Sequence, residues 1–148
     1  MKKLLVVALV GIGLVGCTSL QVKNIDGFQP ETVKQVCIIK NPNVLTNEFE
    51  DSLVRSFARY DINAKLYPVN SNPSRCETTM DYKASQSWDF GTYLNHSKLT
   101  LKKNGYIVSE AEFRLKGKAG NALNVLGTMD HRVDDLVDVL IGKKAPIQ

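Results

Sequence analysis

The sequence predicts an α+β domain of β-α-β-β-β-β-α order, a mixed or antiparallel sheet with two helices packed on one face. Three observations carry this. The stretch "VKQVCIIK", Val33 to Lys40, is rich in β-branched residues and stops at Asn41-Pro42. Two separate stretches repeat apolar residues at helical spacing. Between them, alternating residues flank Asn104-Gly105, a hairpin-turn dipeptide.

Each element has its own signal. Val33 to Lys40 reads as a central strand. Thr46 fits a helix N-cap, with Glu48, Glu50 and Asp51 in the first turn, where acids suit the helix dipole. Phe49, Leu53 and Phe57, with Val54 and Ala58, form the apolar stripe of a helix that runs to about Tyr60. Asp61 to Pro68 reads as a short second strand, and Val69 to Arg75 as a loop. From Cys76 to Ser87, Met80, Tyr82 and Ala84 share one face while Thr79, Asp81, Lys83 and Ser85 share the other, as in a half-buried strand. Two long strands follow, about Tyr93 to Lys102 and Tyr106 to Lys116. A three-residue bulged loop, Lys103-Asn104-Gly105, would set Leu101 opposite Ile107, Leu99 opposite Ser109 and Ser97 opposite Ala111. That register brings apolar residues together, so the bulged turn is expected. Lys116 to Gly127 is a glycine-punctuated connection. Asp130 is the expected cap of the last helix. Its apolar stripe is Val133, Leu136, Val137, Leu140 and Ile141, and Asp134, Asp135 and Asp138 make its wet face. Gly142 stops it and Pro146 precludes resumption.

The amino terminus carries a different signal. Met1-Lys2-Lys3 is a short positive head. Leu4 to Val15 hold no charge, about the length of a signal-peptide core and too short to cross ~30 Å of hydrocarbon. Leu14-Val15-Gly16-Cys17 then resembles the lipobox of bacterial lipoproteins. The resemblance implies that residues 1–16 are a signal peptide and that Cys17 is acylated once it becomes the first residue. One acyl chain binds a membrane marginally, at ~0.8 kcal/mol per buried CH₂, whereas two or three hold firmly. Thr18 and Ser19 follow Cys17 with no aspartate, which by the same resemblance favours the outer membrane. Residues 17–31 read as the lipidated cysteine and a polar tether with a reach of at most ~50 Å. Residues 32–148 read as a single α+β periplasmic domain.

Charge excludes some partners. Without residues 1–16, 132 residues remain, with 17 basic against 15 acidic side chains. A balance of +2 with no basic stripe of interleaved aromatics argues against nucleic acid. Beyond Cys17 the cysteines are Cys37 and Cys76. An oxidising compartment predicts a disulfide between them, worth ~4 kcal/mol at best in the chain-entropy model. Neither belongs to a CxxC pair, and His96 and His131 have no ligand-like spacing, so no metal is expected.

Catalytic patterns are weak. Gly117-Lys118-Ala119-Gly120 lacks the Ser or Thr of a Walker A loop, so no nucleotide or other cofactor is expected. Ser85, Ser87, Asp89 and His96 lie close in sequence without a GxSxG elbow. Glu110 and Glu112 share one strand face, as a solvated pair does. Trp88, Phe90 and Tyr93 form the candidate binding surface, since Trp and Tyr anchor many interfaces. The element order resembles the amino-terminal domain of TolB. The span from Ser87 to Gly120, with the closing "VDDLVDVL", resembles a group of small uncharacterised proteobacterial lipoproteins. Together these readings describe a non-enzymatic, lipid-anchored outer-membrane lipoprotein that faces the periplasm and binds or assembles with an envelope protein. The alternatives are a small hydrolase of envelope polymers and an accessory subunit of a transport or secretion assembly.

Overall fold

The computed structural model describes residues 18–44, 47–88, 92–115 and 128–146. The strands are β1 (Thr18–Asn24), β2 (Gln35–Ile39), β3 (Asn63–Tyr67), β4 (Thr78–Trp88), β5 (Thr92–Lys103) and β6 (Tyr106–Leu115). The helices are α1 (Asn47–Ala58), between β2 and β3, and α2 (Met129–Leu140), after β6. One six-stranded sheet has the order β1-β6-β5-β4-β2-β3. It is mixed: β2 runs parallel to β3 and β4, and the remaining pairs are antiparallel. Both helices pack on the same face, so the expected α+β arrangement is the one observed, with one strand more.

The added strand is β1. Its polar composition assigned it to the tether, yet it pairs with β6 over seven residues, from Thr18 opposite Leu115 to Asn24 opposite Ser109. Leu20 and Val22 meet Phe113 and Ala111 on the helix side, while Gln21 and Lys23 point away. Two apolar residues at period two suffice at a sheet edge, where one side of the strand stays wet.

The core lies between sheet and helices. Phe49, Leu53 and Phe57 of α1 and Val133, Leu136, Val137 and Leu140 of α2 are fully buried against Val36, Ile38, Met80, Leu99, Leu101 and Ala111. The α1 stripe is narrower than its spacing suggested: Val54 is half-buried and Ala58 is exposed. Ser52 takes a buried place instead, and its hydroxyl donates to Asp130 of α2. Asp130 is therefore an interhelical acceptor rather than the cap. Thr128 caps α2, its side chain accepting from the His131 amide at 3.4 Å. Asp134 and Asp138 likewise face a partner. Arg59 pairs with both, and the Tyr60 hydroxyl donates to Asp138 at 2.7 Å. Gly142 ends α2 as expected, at φ +68°, donating to the Val139 carbonyl.

The β5–β6 turn departs from expectation. Asn104 and Gly105 both have positive φ, +50° and +84°, and Lys103 faces Tyr106 across a two-residue turn. The register shift falls two residues further on, where Val108 is the extra residue and Leu101 meets Ser109. Leu99 then opposes Ala111 and Ser97 opposes Phe113. Ile107, expected opposite Leu101, instead lies opposite Lys102 on the other face, while from Ser109 onward the faces are those the sequence required. The turn is not, because Asn-Gly satisfies its preference for positive φ at both positions and a bulge absorbs the offset.

Cys37 and Cys76 form a disulfide with Cα atoms 6.2 Å apart. It spans the seam where β2 meets β4, a ladder of only two pairs, Cys37 with Thr79 and Ile38 with Met80.

Candidate functional site

The face of the sheet away from the helices carries most of the polar residues of β4, β5 and β6. Asp81 and Lys83 come from β4, His96, Lys98, Thr100 and Lys102 from β5, and Glu110, Glu112 and Arg114 from β6. Below the two-residue seam, β2 and β4 separate. The chain leaves β2 at Ile39, crosses through α1 to β3, and returns to the opposite side of β2 as β4. Such a divergence at the carboxyl ends of parallel strands leaves a crevice where open sheets hold ligands. Here it opens into a shallow groove of about 490 Å³. The loop at Lys40, Asn41 and Pro42 lines one side together with Val69 and Asn70, and Asp81, Lys83, Lys98, Thr100, Lys102 and Glu110 line the rest.

A hydrogen-bond network fixes the loop wall. The Asn41 side-chain amide donates to the Tyr82 carbonyl at 2.8 Å, and its backbone N–H donates to the Tyr82 hydroxyl at 3.1 Å. The Tyr82 hydroxyl donates in turn to the buried carboxylate of Glu50, which also meets Lys40 at 3.0 Å. Burial, then the Glu50 hydrogen bond, holds the Tyr82 phenol well above its ordinary value. A raised phenol contributes stability that is full below the unfolded value near 10 and lost as pH climbs toward the folded one. Tyr82→Phe is expected to cost about 1–3 kcal/mol at neutral pH, since Glu50 and the Asn41 amide each lose a partner. Urea unfolding at neutrality and above pH ~10 checks it: the deficit against the parent chain should shrink on the alkaline side.

The groove floor is charge-paired. Lys98 meets Glu110 at 2.8 Å and Lys102 meets Asp81. The Lys98 hydrogen bond is the first cause that holds the Glu110 carboxyl below its usual range. Lys83 has no ion-pair partner among the described residues.

A second hollow of about 490 Å³ lies toward the Trp88 end of β4 and holds most of the supposed hydrolase residues. Ser85 donates to the Asn95 side chain at 2.5 Å, and Asn95 donates to Ser87 at 2.6 Å. His96 Nε2 lies 2.8 Å from Glu112, which also accepts from Arg114 at 2.7 Å. Arg114 first and His96 second depress the Glu112 carboxyl. Glu110 and Glu112 do share a face, each tied to its own base. Of the aromatic group, Tyr93 is buried and Trp88 ends β4 opposite Thr92. Phe90 and Asp89 lie outside the described residues, as do Cys17, Thr46, the loop at Gly117 and residues 1–16. Sequence reasoning did not single out Lys40, Lys83, Lys98 and Lys102 as a group. Strand alternation places the last three on one face, but only the separation of β2 from β4 brings Lys40 to them.

Fold and site together define a small α+β domain whose helices cover one sheet face and leave the other open and charged. Two solved structures are similar to the chain. One is a variant PelC dodecamer from Paraburkholderia phytofirmans, with TM-score 0.50 and 10% identity over 81% of this chain and 97% of that one. The other is a PelC dodecamer from the same organism, with TM-score 0.49 and 11% identity over 84% and 93%. No family model and no curated protein matches the chain. At this identity the likeness concerns the fold.

Proposed function

We propose that the chain is a lipid-anchored lipoprotein of the outer membrane, facing the periplasm, with a non-catalytic domain for binding or envelope assembly. The observation that carries the reading is Leu14-Val15-Gly16-Cys17 after a charged and then apolar lead, standing directly before the first strand. The disulfide supports it, since such bonds persist in oxidising compartments. The resemblance to proteobacterial lipoproteins points the same way. Assembly with further copies draws on the variant PelC dodecamer and on the outer edge of β1, which pairs with no strand among the described residues. The hydrolase alternative gains nothing from the described residues: Ser85 and Ser87 bond Asn95, and His96 bonds a carboxylate and Arg114.

Cys17→Ser is the test. The parent chain should sediment with membranes and yield an acylated amino-terminal peptide by mass spectrometry. The variant should lose both properties, because no other segment is proposed to hold the bilayer. A variant that stays membrane-bound after alkaline carbonate washing would overturn the anchor.

A further inference from the structure

The geometry points to the groove beside Lys83 as a binding site for an acidic saccharide, a sugar chain bearing carboxylate groups. The inference gives the proposed binding module a ligand class and does not depend on the Cys17 anchor.

Charge across the molecule is segregated by layer. Among the described residues, the open-face positions of the strands hold six lysines and arginines against three acids. The two helices hold seven acids against two arginines. The potential over the open face therefore favours an anion. The groove gathers four lysines, of which Lys40, Lys98 and Lys102 are paired with Glu50, Glu110 and Asp81, so that the exposed Lys83 is its unpaired cation among the described residues.

The rest of the lining selects among anions. Asp81 and Glu110 stand between the lysines and offer acceptors, and Thr100, Asn41 and Asn70 add further polar groups. A sugar chain presents hydroxyl donors to such carboxylates and a carboxylate of its own to Lys83. Val69 and Ile107, each 42% exposed, give aliphatic surface for the C–H faces of the rings. A nucleic acid fits worse. The one aromatic residue of the lining, Tyr82, is buried and turned into the core, so no base can stack. About 490 Å³ lies within the ~300–1,000 Å³ common for small-ligand sites.

The test titrates the full exported chain, in mild detergent, with trigalacturonate and with its methyl ester, followed by calorimetry. The acid should bind and the ester should not, and binding should weaken as salt rises. Lys83→Glu should lower affinity by about tenfold or more, and Lys83→Gln, a milder change, by less. Lys34→Glu alters net charge equally at a position outside the groove and should leave affinity unchanged. Thermal midpoints establish that each variant is folded. The proposal is overturned if trigalacturonate does not bind, if the ester binds as well, or if Lys34→Glu matches Lys83→Glu. Tighter binding of a single-stranded oligonucleotide or of phosphatidylglycerol vesicles through Lys83 would also overturn it, assigning the groove to another anion. None of these outcomes bears on whether Cys17 is acylated.

Discussion

Phe49→Ala is expected to remove about 3–5 kcal/mol of unfolding free energy. Phe49 has no exposed surface, and its ring centre lies 5.6 Å from that of Tyr82. It joins the first turn of α1 to the middle of β4, across the layer boundary. Truncation leaves a cavity, and the surroundings cannot close over it: Leu53, Met80 and Tyr82 are already fixed by their own burial. Denaturant unfolding should show a lower midpoint at an unchanged slope. Phe49→Leu keeps most of the volume and should cost less than about 2 kcal/mol. Equal losses from both variants would mean that the cavity is not the source of the effect. Against a typical total of ~5–15 kcal/mol, the alanine variant could leave little folded protein at 37 °C.

Replacing both half-cystines, Cys37→Ala with Cys76→Ala, is expected to cost about 2–4 kcal/mol. The two lie 39 positions apart, so reduction frees a long loop in the unfolded chain. The native state contributes as well. The β2–β4 ladder has two pairs, and the disulfide ties β2 to the segment that leads into β4. Unfolding of the parent chain with and without reductant, beside the double variant, separates the terms. The reduced parent and the double variant should agree to within about 1 kcal/mol. A loss below ~0.5 kcal/mol in both would mean that the ladder and the α1–α2 packing hold the seam unaided.

The sequence made most of the fold legible because the signals were local. Met80, Tyr82 and Ala84 alternate, Val133 to Ile141 repeats at helical spacing, and Gly142 supplies the stop; none needs a partner to be read. Where it misled, the deciding interaction was distant. Ser19, Gln21 and Lys23 look like tether residues until β6 is beside them. Asp130 has the chemistry of a cap, but Ser52 and Arg55, more than 70 positions away, claim its carboxylate. Asp134 and Asp138 look wet until Arg59 is placed. The bulged turn failed for a subtler reason. The need for an offset was read correctly, but a bulge at Val108 supplies it as a bulge at the turn would; the two differ at Ile107, which the observed register sets opposite Lys102, and the local preference of Asn104-Gly105 favours the former. The lysine groove was the least legible, since it exists only because β2 parts from β4 after two pairs.

The position of β1 also determines how the molecule responds to tension. A load drawn through the amino-terminal segment along the strand axis enters the sheet at Thr18. It meets seven rungs shared with β6. Hydrogen bonds perpendicular to the pull are strained in shear, all together, whereas a pull from the side would peel them one at a time. A pull in that direction meets the stronger orientation of the sheet, and the force spreads into β6, the strand that α2 packs against.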